Sequence, residues 1–128
     1  MDRVCHFEVP YENKERAWKF YSEVFGWQLS DAPTPEPYTF AITTEIDPET
    51  MMPTSTGGIN GGMYQRGDQG ACSPVIVMEV ESCEQRLKDV AAAGGEAIMG
   101  PHEIPGMGIY GQVKDTEGNI VGLWQSLK

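Results

Sequence analysis

The sequence has few cysteines, few basic residues and no long apolar run, and each shortage excludes a class of protein. Its three cysteines, Cys5, Cys72 and Cys83, are odd in number and widely spaced, which favours reduced thiols over a disulfide framework or a zinc knuckle. No apolar stretch approaches the roughly 20 residues of a membrane-spanning helix, and the N-terminal residues lack the pattern of a signal peptide. We therefore expect a cytoplasmic protein without a membrane partner.

Basic residues are outnumbered by acidic ones. Lys and Arg total 9 against 19 Asp and Glu, which gives a formal net charge of −10. This charge repels phosphate backbones and argues against nucleic acid as a partner. The hydrophobic and charged shares, 40% and 22%, are those of an ordinary globular protein, and 128 residues is a single-domain length. We therefore expect one domain over residues 1–128.

An internal repeat is the strongest positive feature. His-Phe-Glu-Val at 6–9 recurs as Val-Met-Glu-Val at 77–80, and Gly-Met-Tyr-Gln at 62–65 recurs as Gly-Leu-Trp-Gln at 122–125. Because repeats decide architecture before local propensity does, two related modules must share the domain. The histidine at position 6 has no counterpart in the second copy.

Periodicity predicts the same element order in both modules. In module one, about 1–66, alternation predicts a strand over 3–9 that Pro10 ends, and apolar residues at helical spacing predict a helix over 13–25. Three further strands complete the module. After a linker at 67–73, module two, about 74–128, repeats this order, with 100–108 predicted as a loop. The expected fold is α+β, with two βαβββ modules forming one open, curved mixed sheet around a concave cleft.

Strand parity predicts which side chains line the concave cleft. Alternate residues of a strand point to opposite faces, and we expect Phe7, Val9, Met78 and Val80 to pack beneath the helices together with Val121 and Leu123. The opposite, cleft-lining face then carries His6, Glu8, Asn60, Gly62, Tyr64, Val77, Glu79, Ile120, Gly122 and Trp124.

Several of these features resemble the vicinal oxygen chelate superfamily, which includes glyoxalase I, extradiol dioxygenases and bleomycin-resistance proteins. They are the twin modules, His6, Phe-Gly-Trp at 25–27, Ile-Pro-Gly-Met-Gly at 104–108, and the run from Asp115 to Gln125. The likeness covers nearly the whole chain and favours an uncharacterised glyoxalase-like branch. It implies a fold that hosts lyases, isomerases, dioxygenases and non-catalytic binders, and it implies a homodimer.

The resemblance also implies where a metal would bind. Metal-dependent members hold a divalent cation with one side chain from the first and one from the last strand of each module. Those positions here are His6, Gly62, Val77 and Gly122, and only His6 carries a donor. Because protein-bound divalent cations usually take three or more nitrogen, oxygen or sulfur donors, we predict no standard metal site and no cofactor.

The candidate catalytic residues are His6, Glu8 and Glu79. The ordinary pKa of histidine suits His6 to acid/base work, and two carboxylates can share such work if burial separates their pKa values. The alternatives stay open. His6 could be satisfied by a backbone carbonyl or by Glu8, and both glutamates could be solvated rim residues or helix caps.

The candidate ligand-binding residues are His6, Asn60, Tyr64, Val77, Ile120 and Trp124. Tyr64 and Trp124 hold equivalent positions, and aromatic walls suit flat or amphipathic organic ligands, although the same pair could fill a core between the modules. The sequence therefore predicts a metal-free binder of a small organic molecule. A glyoxalase-type lyase or isomerase, a metal-independent enzyme using His6 with Glu8 or Glu79, and an oligomeric interaction protein are the alternative functions.

Overall fold

A computed structural model describes residues 1–68 and 70–127, so Gln69 of the predicted linker and Lys128 lie outside the described residues. The chain divides into two compact units. The N-terminal unit comprises residues 6–74, and the C-terminal unit comprises residues 1–5 and the chain from 75 onward. Each has a strand, a helix and three strands, which confirms the α+β class and the βαβββ repeat. The assignment of both modules to one domain stays a prediction.

The N-terminal unit is built on a four-stranded mixed sheet. Its elements are β1 (Val4–Tyr11), α1 (Lys14–Phe25), β2 (Gln28–Asp31), β3 (Thr39–Ile42) and β4 (Gly61–Gln65). The strand order is β2-β3-β4-β1, with β1 parallel to β4 and the remaining pairs antiparallel. This order places the first and last strands of the repeat side by side.

Capping residues set the bounds of α1. The side chain of Asn13 accepts a hydrogen bond from the backbone N–H of Arg16 at 2.9 Å, which satisfies a donor of the first turn. Gly26 ends the helix in the left-handed region at φ 71°, where glycine has no Cβ penalty. The turn brings Trp27 back onto Tyr21, with ring centroids 4.5 Å apart. The Phe-Gly-Trp motif is therefore a helix stop with its packing contact.

The C-terminal unit repeats this plan. Its elements are β5 (Val75–Glu79), α2 (Cys83–Ala92), β6 (Glu96–Ile104), β7 (Gly108–Lys114) and β8 (Ile120–Ser126). The order is β5-β8-β7-β6, with β5 parallel to β8. The Ser82 hydroxyl accepts from the Gln85 N–H at 3.1 Å and caps α2. No helix among the described residues has both the length and the apolarity to cross a membrane.

The two cores confirm the predicted strand parity. In the N-terminal unit, Phe7 and Val9 of β1 and Ala17 and Tyr21 of α1 all pack against the buried cluster that contains Met63. The core of the C-terminal unit contains Val80, Leu123, Met78, Val121 and, from α2, Cys83 and Leu87. The opposite face of each sheet is thereby left for the residues of β1, β4, β5 and β8 that were predicted to line the cleft.

Two predicted boundaries are wrong, and both involve proline. Pro10 does not end β1, and the strand continues to Tyr11. The missing N–H of Pro10 is tolerated because a parallel partner uses the backbone groups of alternate residues only. The Tyr11 carbonyl accepts a hydrogen bond from the Arg66 N–H at 2.7 Å. The predicted loop at 100–108 is strand as far as Ile104. As the outer strand in the order of its unit, β6 tolerates Pro101 through two register shifts in its pairing with β7.

Candidate functional site

Three polar side chains of the N-terminal unit are joined by hydrogen bonds, and we call His6, Tyr38 and Glu8 the Tyr38 network. The Tyr38 hydroxyl donates to Glu8 Oε2 at 2.8 Å, and His6 Nε2 lies 3.0 Å from the same hydroxyl oxygen. A hydroxyl has one proton, and here it is given to Glu8, so His6 Nε2 must be the donor to Tyr38. Nδ1 of a neutral His6 is then its acceptor nitrogen.

The network follows from strand period and from one glycine. His6 and Glu8 share a face of β1 because side chains repeat every second residue, while Phe7 points the other way into the core. Opposite Phe40 on β3 stands Gly62, and Tyr38 lies two residues before Phe40 on the same face. A Cβ built on Gly62 would overlap the ring and hydroxyl of Tyr38. Tyr38 therefore occupies the space that a side chain at position 62 would take.

Burial governs the charges of this network. Glu8 is only 3% exposed, and a buried carboxylate is costly unless it accepts hydrogen bonds, as Glu8 does from Tyr38. Burial lowers the pKa of His6 to about 4, so its imidazole is neutral at pH 7. At that pH the network has one acceptor nitrogen, His6 Nδ1, and no cation.

The two glutamates that the repeat makes equivalent have different surroundings. The expectation of a solvated rim position is wrong for Glu8, because β1 continues past it and leaves the residue buried in mid-strand. Glu79 of β5 is partly exposed, with its Oε1 3.6 Å from Arg3 Nε. Its backbone N–H donates to the Arg3 carbonyl at 2.9 Å. Glu8 belongs to the candidate site, and Glu79 forms a surface ion pair.

The predicted ligand-binding residues of the N-terminal unit are engaged in structural contacts. Asn60 Oδ1 accepts from the backbone N–H groups of Thr43 and Thr44 at 2.8 and 3.0 Å and so holds the chain that follows β3. Tyr64 is fully buried, and its hydroxyl donates to the Ala71 carbonyl at 3.2 Å. Burial raises the pKa of Tyr64 to about 12. The expectation that Tyr64 forms an accessible aromatic wall is therefore not supported.

The predicted residues of the C-terminal unit are mostly apolar. Val77 is 1% exposed, whereas Ile120 and Trp124 are partly exposed. The Trp124 ring covers Gly108, where a Cβ would overlap it. Val77 lies opposite Gly122 in the parallel register, and a Cβ on Gly122 would stand 2.9 Å from Val77 Cγ2. These contacts make Trp124 and Val77 packing residues of their own unit.

Sequence analysis missed Tyr38 and two residues of β7, Tyr110 and Gln112, which we call the Gln112 pair. Gln112 Nε2 donates to the Tyr110 hydroxyl at 2.9 Å, and both side chains are buried. Gln112 stands opposite Gly122, as Phe40 stands opposite Gly62, which makes Tyr110 the counterpart of Tyr38. The sequence carried no signal for them, because each tyrosine lies two residues before the cross-strand partner of a family ligand position, and only the strand register shows that pairing.

The donor set does not fit the standard metal site of the family. The N-terminal unit offers His6 and Gly62, and the hydroxyl of Tyr38 fills the space beside that glycine. The C-terminal unit offers Val77 and Gly122, which have no donor atoms. Within the described ranges, no three or more His, Cys, Asp or Glu side chains are grouped as a metal would require. A metal-free protein stays a prediction, and it is consistent with these residues.

An open groove of about 470 Å³ also lies on the N-terminal unit, near the end of β3. Its lining includes Thr43, Thr44 and Thr54, but each hydroxyl has a partner within the unit. Thr43 donates to the Ile59 carbonyl at 2.6 Å, and Thr54 to the Glu45 carbonyl at 3.4 Å. The groove lacks a titratable network such as that of Tyr38 and is the weaker candidate.

The repeated βαβββ unit, with its family positions on β1, β4, β5 and β8, defines the vicinal oxygen chelate class of fold. The family model described as the Glyoxalase/Bleomycin resistance protein/Dioxygenase superfamily matches residues 3–123. The chain belongs to this superfamily, as the sequence resemblance predicted.

Similar proteins support the same conclusion. A glyoxylase-like domain-containing protein of Didymella fabae is 26% identical over 127 residues, which cover 91% of this chain and 88% of that protein. The methylmalonyl-CoA epimerase of Mycobacterium tuberculosis has a TM-score of 0.63 at 10% identity, covering 98% of this chain and 88% of the other. A glyoxalase/bleomycin resistance protein/dioxygenase superfamily member from Vibrio splendidus has a TM-score of 0.59 at 14% identity, covering 98% and 100%. At these identities the solved structures show the fold alone.

Proposed function

We propose that the chain binds a small organic molecule through the Tyr38 network, without the standard divalent metal site of its superfamily. The observation that carries this proposal is the position of the Tyr38 hydroxyl. It fills the space beside Gly62 and contacts both His6 and Glu8. Where metal-dependent relatives would need a ligand at position 62, this chain has a hydrogen-bonding hydroxyl.

The charge of the network indicates the kind of molecule that it would bind. With Nε2 donating to Tyr38, His6 presents Nδ1 as an acceptor, and its lowered pKa keeps it neutral. The net charge of −10 disfavours strongly anionic ligands. The best match is a neutral or cationic molecule that carries an N–H or O–H group. Epimerases of the same fold act on methylmalonyl-CoA by name, but the anionic phosphates of such a thioester fit this charge poorly.

A metal-independent acid/base enzyme is the second candidate, because Tyr38 and Glu8 fix the tautomer of His6 as an orienting group fixes a base. The lowered pKa of His6 favours binding over base catalysis. The most effective general base has a pKa near the working pH, and His6 lies about three units below neutrality. Binding is therefore the function that the network supports better.

Ligand binding and metal binding are separable by experiment. The ring resonances of ¹⁵N-labelled His6 would be followed during titration with neutral and cationic aromatic fragments, and separately with Zn²⁺ and Mn²⁺. We expect donor-bearing fragments to shift His6 and the Tyr38→Phe variant to weaken their binding at least about tenfold. Tyr21→Phe is the matched control, since its ring packs in the core. Stoichiometric Zn²⁺ binding at His6, or equal fragment affinity in Tyr38→Phe, would refute the proposal.

A further inference from the structure

Gln112 is buried without a complete set of hydrogen bonds. Its side chain has no exposed surface, and its Nε2 donates to Tyr110. Among the described residues, Gln112 Oε1 is the one buried side-chain nitrogen or oxygen without a hydrogen-bond partner. Buried polar groups are almost always satisfied, and an exception destabilises the free protein. An acceptor retained in this state has a role that packing does not explain.

The repeat shows that the fold does not require an amide at this position. Phe40 stands opposite Gly62, and Gln112 stands opposite Gly122. The N-terminal unit thus builds the same strand pair with an apolar ring. Phe40 and Gln112 hold equivalent positions in the two units. Because an apolar side chain fills this position in one unit, the strand pairing does not require the amide of Gln112 in the other.

The neighbours of Gln112 include one polar group, the Tyr110 hydroxyl, and its strand partner Gly122. A Cβ on Gly122 would lie 2.9 Å from Val77 Cγ2 and 3.1 Å from the Tyr110 hydroxyl, so a side chain at 122 would crowd this spot. The hydrogen bond to Tyr110 fixes the amide nitrogen, which directs the oxygen away from the hydroxyl. Gln112 has no exposed surface, whereas Tyr110 is 8% exposed.

We propose that Gln112 Oε1 is a recognition group of the C-terminal unit that accepts a hydrogen bond from a ligand N–H or O–H. The ligand class is a neutral amide or alcohol with a compact apolar group for the Val77 side. A ligand donor completes the hydrogen bonds of the amide, so binding removes the penalty that the free protein carries. The inference concerns Gln112 and does not depend on the Tyr38 network.

Matched probes test this proposal directly. Benzamide and benzyl alcohol carry the donor, whereas N,N-dimethylbenzamide and benzyl methyl ether have the same apolar group without it. We expect the side-chain amide resonances of Gln112 to shift with the first two probes and wild-type protein to prefer them at least about tenfold over their methylated forms. Gln112→Leu should abolish the preference while leaving the melting temperature equal or higher. Gln85→Leu, at an exposed position of α2, is the matched control and should retain it.

Three results would overturn the inference. These are equal affinity for donor-bearing and methylated probes, absence of binding by both donor probes, and a Gln112→Leu variant that keeps the preference. A lower melting temperature in Gln112→Leu, together with Gln112 resonances that no probe shifts, would indicate that Gln112 Oε1 accepts a hydrogen bond from a buried structural water instead. Because the probe comparison uses wild-type protein, it remains decisive even if the variant fails to fold.

Discussion

The surroundings of Gly62 and Gly122 show how one backbone plan acquires two chemistries. Each glycine lies on the last strand of a βαβββ repeat, and the hydroxyl of a tyrosine from the neighbouring part of the chain lies beside it. At Gly62 that hydroxyl joins a histidine to a buried glutamate, whereas at Gly122 it accepts from a buried amide. The backbone thus places a tyrosine hydroxyl beside each glycine. The partners of that hydroxyl differ, because His6 and Glu8 are titratable and Gln112 is a neutral amide.

The largest expected difference between the two regions is in pH dependence. Burial lowers the pKa of His6 from 6.5 to about 4, so the unfolded chain binds the proton first as pH falls. The sign follows from linkage: stability is unaffected above pH 6.5 and decreases between 6.5 and about 4, by up to about 3 kcal/mol. Urea unfolding across this range should show the loss. In His6→Gln it should be absent, and an unchanged profile would mean that His6 is accessible to protons.

The tyrosine hydroxyls should differ in their effect on stability. Tyr38→Phe removes a donor from the nearly buried carboxylate of Glu8 and should lower the free energy of unfolding by about 2 kcal/mol. Tyr110→Phe removes the acceptor of the neutral Gln112 amide, a hydrogen bond that contributes about 1 kcal/mol. Denaturant titration of both variants measures the difference. Equal losses would contradict the view that the hydrogen bond to the Glu8 carboxylate stabilises more than the hydrogen bond from the Gln112 amide.

Substitution of Gly62 and Gly122 by alanine should show how closely Tyr38 and Tyr110 pack against the backbone of these glycines. Gly62→Ala places a Cβ within the Tyr38 ring and should destabilise by about 2 kcal/mol, with loss of the His6 contact. Gly122→Ala meets its neighbours at 2.9 Å and beyond and should cost about 1 kcal/mol. Thermal unfolding gives the ranking, and His6 ring shifts report displacement of Tyr38. The reverse ranking would refute the assigned packing.

The smallest expected effect comes from Glu79. Its contact with Arg3 joins partly exposed side chains at 3.6 Å, and such surface pairs contribute little. Glu79→Ala should therefore change the free energy of unfolding by less than about 0.5 kcal/mol. Glu8→Ala, at the equivalent position of the repeat, should cost several times more. A large loss in Glu79→Ala would restore the equivalence of the two glutamates.

The sequence predicts the fold well because periodicity and repetition are local signals. The alternation around Phe7 and Val9, the helical spacing of apolar residues over 13–25, and the repeated segments that begin with Gly62 and Gly122 predict the two modules. The prediction that Pro10 ends β1 was wrong, because the parallel pairing of β1 with β4 does not use the N–H that proline lacks. Such exceptions depend on which strand lies alongside, and that information is not local.

The site was predicted only in part, because its key contacts are long-range. Parity places His6 and Glu8 on one face, but it gives no indication that Tyr38, 30 residues after Glu8, donates to that carboxylate. The equivalence of Tyr38 and Tyr110 is also hidden in the sequence. Tyr38 lies 24 residues before Gly62, whereas Tyr110 lies 12 before Gly122, because the loop after β3 lengthens the first copy. Only the strand register aligns them.

The central claim is that the Tyr38 hydroxyl takes the place of a metal ligand beside His6. Its most direct test is the ¹⁵N spectrum of the His6 ring at pH 7 in a His102→Gln background, which leaves one histidine in the chain. We expect a neutral ring protonated at Nε2, with shifts that neither chelator nor stoichiometric Zn²⁺ alters and that change in Tyr38→Phe. A spectrum that moves with Zn²⁺ or is reversed by chelator, while Tyr38→Phe leaves it unchanged, would contradict that claim.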